Sequence, residues 1–206
     1  MIIGLVGKPS SGKSSFFKAA TLKDVAISEI PFTTIEPNVG IGYVSIDCVE
    51  REFGVRCNPR VGFCKKGKRF VPIKLIDVGG LIPGSHEGRG IGNKFLDDLR
   101  QASVLIQIVD ASGLTDEEGK PTQNFNPEIE IKFLEEEIDF WFEDIVKRAI
   151  GKIKGRERDS VSVLVQQFSG LGAKKEDVEK VLQKISLSNI KEFTRELRKT
   201  IKPILI

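Results

Sequence analysis

A chain of 206 residues that is 40% hydrophobic and 30% charged has the profile of a globular protein, long enough for one large domain or for one domain carrying an insertion. Its net charge of +3 is too small to argue for nucleic acid by itself. The apolar start is too short for a signal peptide and no run reaches about 18 apolar residues, which excludes a transmembrane helix and predicts a soluble, cytoplasmic protein.

The first predicted element is the strand Ile2–Val6, and the chain then runs Gly7-Lys8-Pro9-Ser10-Ser11-Gly12-Lys13-Ser14-Ser15. This is a complete G-x-x-x-x-G-K-S/T phosphate loop in its strand-then-helix context, and it predicts binding of a nucleoside triphosphate. Gly7 and Gly12 let the intervening Lys8, Pro9, Ser10 and Ser11 curl so that backbone N–H groups point at the phosphates. Lys13 supplies positive charge at the β- and γ-phosphates, the Ser14 hydroxyl can ligate Mg²⁺, and Ser15 carries the loop into a helix over residues 13–20. Phe16, Phe17, Ala19 and Ala20 are expected as the buried face of that helix.

The segment 28–40 is bracketed by Pro31 and Pro37 and reads as extended loop. Residues 41–46 and 71–76 read as strands, separated by an irregular excursion that carries Cys48, Cys57 and Cys64. Three cysteines without C-x-x-C spacing favour reduced thiols over disulfides or a zinc site. Lys65-Lys66-Gly67-Lys68-Arg69 is expected to be a solvated basic hairpin tip. Asp77-Val78-Gly79-Gly80 closes the next strand, a glycine-rich loop leads to a helix over 92–102, and 104–109 reads as a buried strand.

From Asn126 the pattern turns helical. Asn126-Pro127-Glu128 is a cap followed by proline at the first helical position, and Ile131, Leu134, Ile138, Trp141, Ile145 and Ala149 recur at helical spacing. Phe133, Phe140, Trp141 and Phe142 are expected in the core. Further helices are predicted over 160–168, 175–185 and 188–200, and Lys202-Pro203-Ile204-Leu205-Ile206 reads as the start of a buried strand, as in a fragment of a longer protein. The division expected is a phosphate-loop domain over 1–125, a helical insertion over 126–200 and a returning strand over 201–206.

Three motifs stand in the order of a nucleotide switch. Lys13 and Ser14 meet phosphate and Mg²⁺, Thr34 is placed to sense Mg²⁺ and the γ-phosphate, and Asp77 reaches Mg²⁺ through water while the Gly80 N–H contacts the γ-phosphate. Pro31-Phe32-Thr33-Thr34-Ile35-Glu36-Pro37-Asn38-Val39-Gly40 and the long run from Asp77 through Gly84-Ser85-His86-Glu87-Gly88-Arg89-Gly90 to Leu96 resemble switch I and switch II of the Obg-related GTPases, within them the YchF or Obg-like ATPase branch of archaeal type. The resemblance covers essentially the whole chain. It implies an α/β P-loop NTPase fold of GTPase type with a mostly parallel sheet, flanking helices and a helical insertion. It also implies Mg²⁺-dependent hydrolysis of GTP or ATP and a link to ribosomes or translation.

The departures shape the expectation further. Leu81 follows Gly80 where Ras-like enzymes place a water-orienting glutamine, an apolar substitution shared with YchF relatives, so slow intrinsic turnover is expected. His86, the only histidine, is read first as an exposed loop residue and second as a group that positions water when switch II orders. Ser10 replaces the asparagine common in Obg-type loops, which leaves potassium stimulation open, and the base-reading N-K-x-D element is absent, which leaves GTP and ATP both open. The alternative reading is a nucleotide-regulated binding module with negligible intrinsic hydrolysis.

Overall fold

A computed structural model describes residues 1–21, 38–90, 93–154 and 159–206. In chain order the elements are β1 (Ile2–Val6), α1 (Lys13–Thr21), β2 (Asn38–Asp47), the short α2 (Glu50–Phe53), β3 (Phe63–Lys65), β4 (Lys68–Asp77), α3 (Asn93–Arg100), β5 (Val104–Gln107), α4 (Pro127–Lys154), α5 (Ser160–Phe168), α6 (Lys175–Leu182), α7 (Ile190–Ile201) and β6 (Ile204–Leu205). The strands form one mixed sheet in the order β2-β4-β1-β5-β6, with β3 pairing to β4. β1 runs parallel to β4 and β5, and β5 parallel to β6, while β2 and β3 are antiparallel to β4.

Strand alternation divides the apolar residues between the two faces of the sheet. Ile3, Leu5 and Leu75 pack with Phe17 of α1 on one face. Val6, Ile76 and Leu105 point the other way, into a core that continues through Leu81, Phe95 and Leu99 into Leu134, Ile138, Phe142, Leu164, Phe168, Phe193 and Leu197 of the helices between β5 and β6. α4 starts where Asn126 accepts the Glu128 N–H at 3.0 Å, with Pro127 as its first residue. Asp159 and Asn189 cap α5 and α7 in the same way. The buried Arg198 of α7 binds α4 through Asp139 at 2.8 Å and Glu135 at 2.7 Å, so α7 is fixed in register as well as packed.

Several expectations need correction. Of the four α1 residues expected to be buried, only Phe17 is; Ala20 is half-buried, and Phe16 and Ala19 are exposed, because consecutive helical residues lie about 100° apart and cannot share one face. β2 begins earlier than expected, at Asn38, since β4 pairs with it residue for residue from Asp77 to Lys68. The excursion after β2 contains the helical turn α2, and β5 ends at Gln107, two residues before the predicted strand end. Trp141 and Phe142 are core residues, whereas Phe140 is 38% exposed. Leu205 is 55% exposed because, among the described residues, β6 is paired on one side only, to β5.

Candidate nucleotide site

The loop between β1 and α1 leaves the middle of the sheet and curls between Gly7 and Gly12. At Gly7 a Cβ would lie 2.4 Å from the Ile108 carbonyl oxygen, so the strand-end backbone approaches too closely for any side chain. Ser10 sits at a φ of 62°, in the left-handed region, and its side chain is exposed, as is that of Ser15 at the start of α1.

Lys13 is buried, and its Nζ donates to the Lys8 carbonyl across the loop at 2.5 Å. Burial pulls its pKa down to about 8, against the opposing charges of Asp77 and Glu130. The same dry surroundings push the Asp77 carboxyl up, against the Ser14 hydrogen bond and the Lys13 charge. Ser14 Oγ donates to Asp77 Oδ2 at 2.7 Å, while Asp77 Oδ1 and Ser11 Oγ are buried with no hydrogen-bond partner among the described residues. A hydroxyl and a carboxylate with a spare buried oxygen, beside an ammonium, form a hard-oxygen donor set suited to Mg²⁺ and phosphate.

Gly80 lies against the phosphate loop so tightly that a Cβ would fall 2.5 Å from the Pro9 nitrogen, and the next amide, Leu81 N–H, donates to the Gly7 carbonyl at 3.0 Å. The loop after β4 is thus held on the phosphate loop backbone to backbone. The Leu81 side chain turns away from it into the main core, 1% exposed. Thr34 lies outside the described residues.

Two features escaped sequence reasoning. The Lys8 ammonium is fully buried and reaches across to the segment before α4, donating to the Thr115 carbonyl and hydroxyl at 2.6 Å each and to the Asp116 carbonyl at 3.0 Å. Asp110 and Glu130 carboxylates stand 3.7 and 3.6 Å away. Lys8 therefore contributes only backbone to the loop, and its charge ties that loop to residues 110–130. His86 is not an exposed loop residue: its Nδ1 lies 2.7 Å from Glu137 Oε2, its ring packs on Phe140 with centroids 4.6 Å apart, and Glu137 also accepts the Gly84 N–H at 2.6 Å and the His86 N–H at 2.9 Å. The available signal was positional. Glu130 and Glu137 fall at apolar-stripe spacing with Leu134 and Trp141, and an acid at such a position needs a buried partner.

A profile described as the 50S ribosome-binding GTPase family matches residues 2–139. The chain belongs to this family, in its Obg/YchF-like branch. An uncharacterized GTP-binding protein of Methanocaldococcus jannaschii is 47% identical across 100% of the chain and 55% of its own length. The ribosome-binding ATPase YchF of Mycoplasma genitalium is 29% identical across 98% of the chain and 54% of its length. Among solved structures, a GTP-binding protein from Pyrococcus horikoshii OT3 superposes with a TM-score of 0.77 at 34% identity, covering 99% of the chain and 55% of that protein. The chain thus spans about half the length of these relatives. The P-loop GTPase architecture follows from the family and this superposition, and among the described residues no helix is long and apolar enough to cross a membrane.

Proposed function

We propose that the chain binds a nucleoside triphosphate with Mg²⁺ and hydrolyses it slowly, as a switch of the Obg/YchF type that works on the ribosome. The observation that carries this reading is the meeting of three separate segments at one dry point: Lys13 and Ser14 of the phosphate loop, Asp77 at the end of β4, and the Gly80 backbone pressed on Pro9. Ser14, Thr34 and Asp77 would hold Mg²⁺, directly or through water, and the bound ion would offset charge on the phosphates. Lys13 is the main charge stabiliser, and the amides of the loop over residues 7–15 and of Gly80 form the phosphate cradle. Because Gly80 touches the loop directly, a γ-phosphate would press first on this contact. Residues 84–86, hydrogen-bonded to Glu137, would carry the displacement into α4 of the helical insertion.

Slow turnover follows from side chains that face elsewhere. Leu81 is in the core and His86 is engaged with Glu137, so the attacking water is oriented by backbone groups, by His86 once released, or by the ribosome. GTP is the favoured substrate because the M. jannaschii and P. horikoshii relatives carry GTP-binding names, and competition between GTP and ATP for a fluorescent analogue decides it. The buried Leu81 also supports the second reading, a nucleotide-regulated binding module without appreciable hydrolysis.

Removing the Lys13 charge tests the binding reading. Lys13→Ala is expected to cost about 2–4 kcal/mol of triphosphate affinity by calorimetry, the loss of a charge-assisted contact in a desolvated site. Unchanged affinity contradicts it.

A further inference from the structure

The three cysteines, spread along the excursion between β2 and β4 without a metal-binding spacing, meet in space. Cys48 at the end of β2, Cys57 in the excursion and Cys64 in β3 bring their Sγ atoms within 4.8 Å of one another, with Cys48 Sγ and Cys64 Sγ 3.4 Å apart. They are all the cysteines the chain has. A tetrahedral ion with metal–sulfur bonds of about 2.3 Å sets its sulfurs about 3.8 Å apart, a spacing within the range these thiols present.

Two further observations point to a bound ion. The excursion that holds Cys57 has almost no core of its own: Val49 is 55% exposed, Phe53 71%, Val55 63% and Val61 62%. A segment that buries so little apolar surface is the kind that small folds staple with a metal or a disulfide. In addition, Arg69 stands opposite Cys64 in the β3–β4 register; its Nη2 donates to the Val61 carbonyl at 2.7 Å, and its Nη1 is buried with no hydrogen-bond partner among the described residues. Three thiolates around a divalent ion carry a net charge of −1, which one guanidinium balances.

We propose that Cys48, Cys57 and Cys64 bind a thiophilic divalent ion, Zn²⁺ by preference, that pins the excursion between β2 and β3 to the sheet. Each thiol releases its proton to solvent as its sulfur–metal bond forms, with no change of oxidation state. Among the described residues no fourth thiol, imidazole or carboxylate joins the cluster, so water or an incoming donor completes the tetrahedron. An odd number of cysteines without C-x-x-C spacing favours reduced thiols over a zinc site; the β2–β4–β3 pairing supplies the proximity that spacing lacks.

The test is titration of the reduced chain with Co²⁺, followed by displacement with Zn²⁺. One equivalent should give the near-ultraviolet thiolate-to-cobalt band, stoichiometric Zn²⁺ should abolish it, and bound Zn²⁺ should protect all three thiols from alkylation. Cys48→Ser, Cys57→Ser and Cys64→Ser, each checked for folding by circular dichroism, should weaken binding on the order of a hundredfold or more, beyond the loss of a supporting outer contact. The wild-type titration stands even if a variant fails to fold. Absence of the cobalt band overturns the proposal, as does a Cys48–Cys64 disulfide that forms under mild oxidant equally fast with and without saturating Zn²⁺.

Discussion

The two faces of the sheet are built to different depths. On the α1 face, Ile3, Leu5, Leu75 and Phe17 make up the buried cluster, with Ala20, Ile73, Val104 and Ile106 at its margin. On the other, a single apolar core runs from Val6 and Ile76 through Leu81 and Phe95 into α4, α5, α6 and α7. The phosphate loop leaves the sheet between them. The thin face can yield without disturbing much buried surface, whereas the deep face moves as a body, and Glu137 of α4 holds residues 84–86 to that deep face. The proposed switch would use that asymmetry: one side to respond to a phosphate and one to carry the response without deforming.

The deep core is where the largest effect is expected. Phe142→Ala should lower unfolding free energy by about 4 kcal/mol. Because the core is continuous, Trp141 fluorescence and far-ultraviolet circular dichroism should report one shared transition. Separate transitions would mean that the helices and the sheet fold independently, and the comparison would fail.

Next comes the polar anchor that ties the phosphate loop to the start of α4. Lys8→Met should cost about 3 kcal/mol in denaturant unfolding, since Glu130 would be left buried without its cation. Lys8→Met paired with Glu130→Gln should recover part of the loss. Full additivity would show that the two charges do not interact.

A smaller effect is expected from pH. Burial lowers both Lys13 and Lys202 to about 8, below their ordinary value near 10.5. Between those values the unfolded chain binds more protons than the folded one, so stability should rise as pH increases from about 8, by on the order of 2 kcal/mol for each lysine. Lys202→Met should remove its share of the slope in thermal unfolding measured at successive pH values. Triphosphate affinity should move the opposite way, falling above about pH 8, because binding must then return a proton to Lys13.

What the sequence made legible was local. The phosphate loop occupies consecutive residues, so its spacing alone defines the strand, the curl and the helix that follows. The helices after Asn126 were equally readable, because caps and apolar periodicity are also short-range. The Lys8 anchor was not, since its partners Thr115 and Glu130 lie more than a hundred residues away, and a lysine inside a phosphate motif invites assignment to phosphate. Glu137 was hidden for the same reason, as the partner of a loop on another element. The cysteine cluster depends on how β3 folds back on β4, a register that spacing cannot supply.

The most direct test of the switch account is amide hydrogen exchange at Gly84 and His86, the two amides held by Glu137, compared between GDP and a non-hydrolysable GTP analogue with Mg²⁺. Exchange at both should change with nucleotide state, and Glu137→Gln, expected to cost only about 1 kcal/mol of stability, should erase that difference while leaving triphosphate binding intact. Identical exchange in the two nucleotide states would contradict the coupling of the phosphate site to the helices.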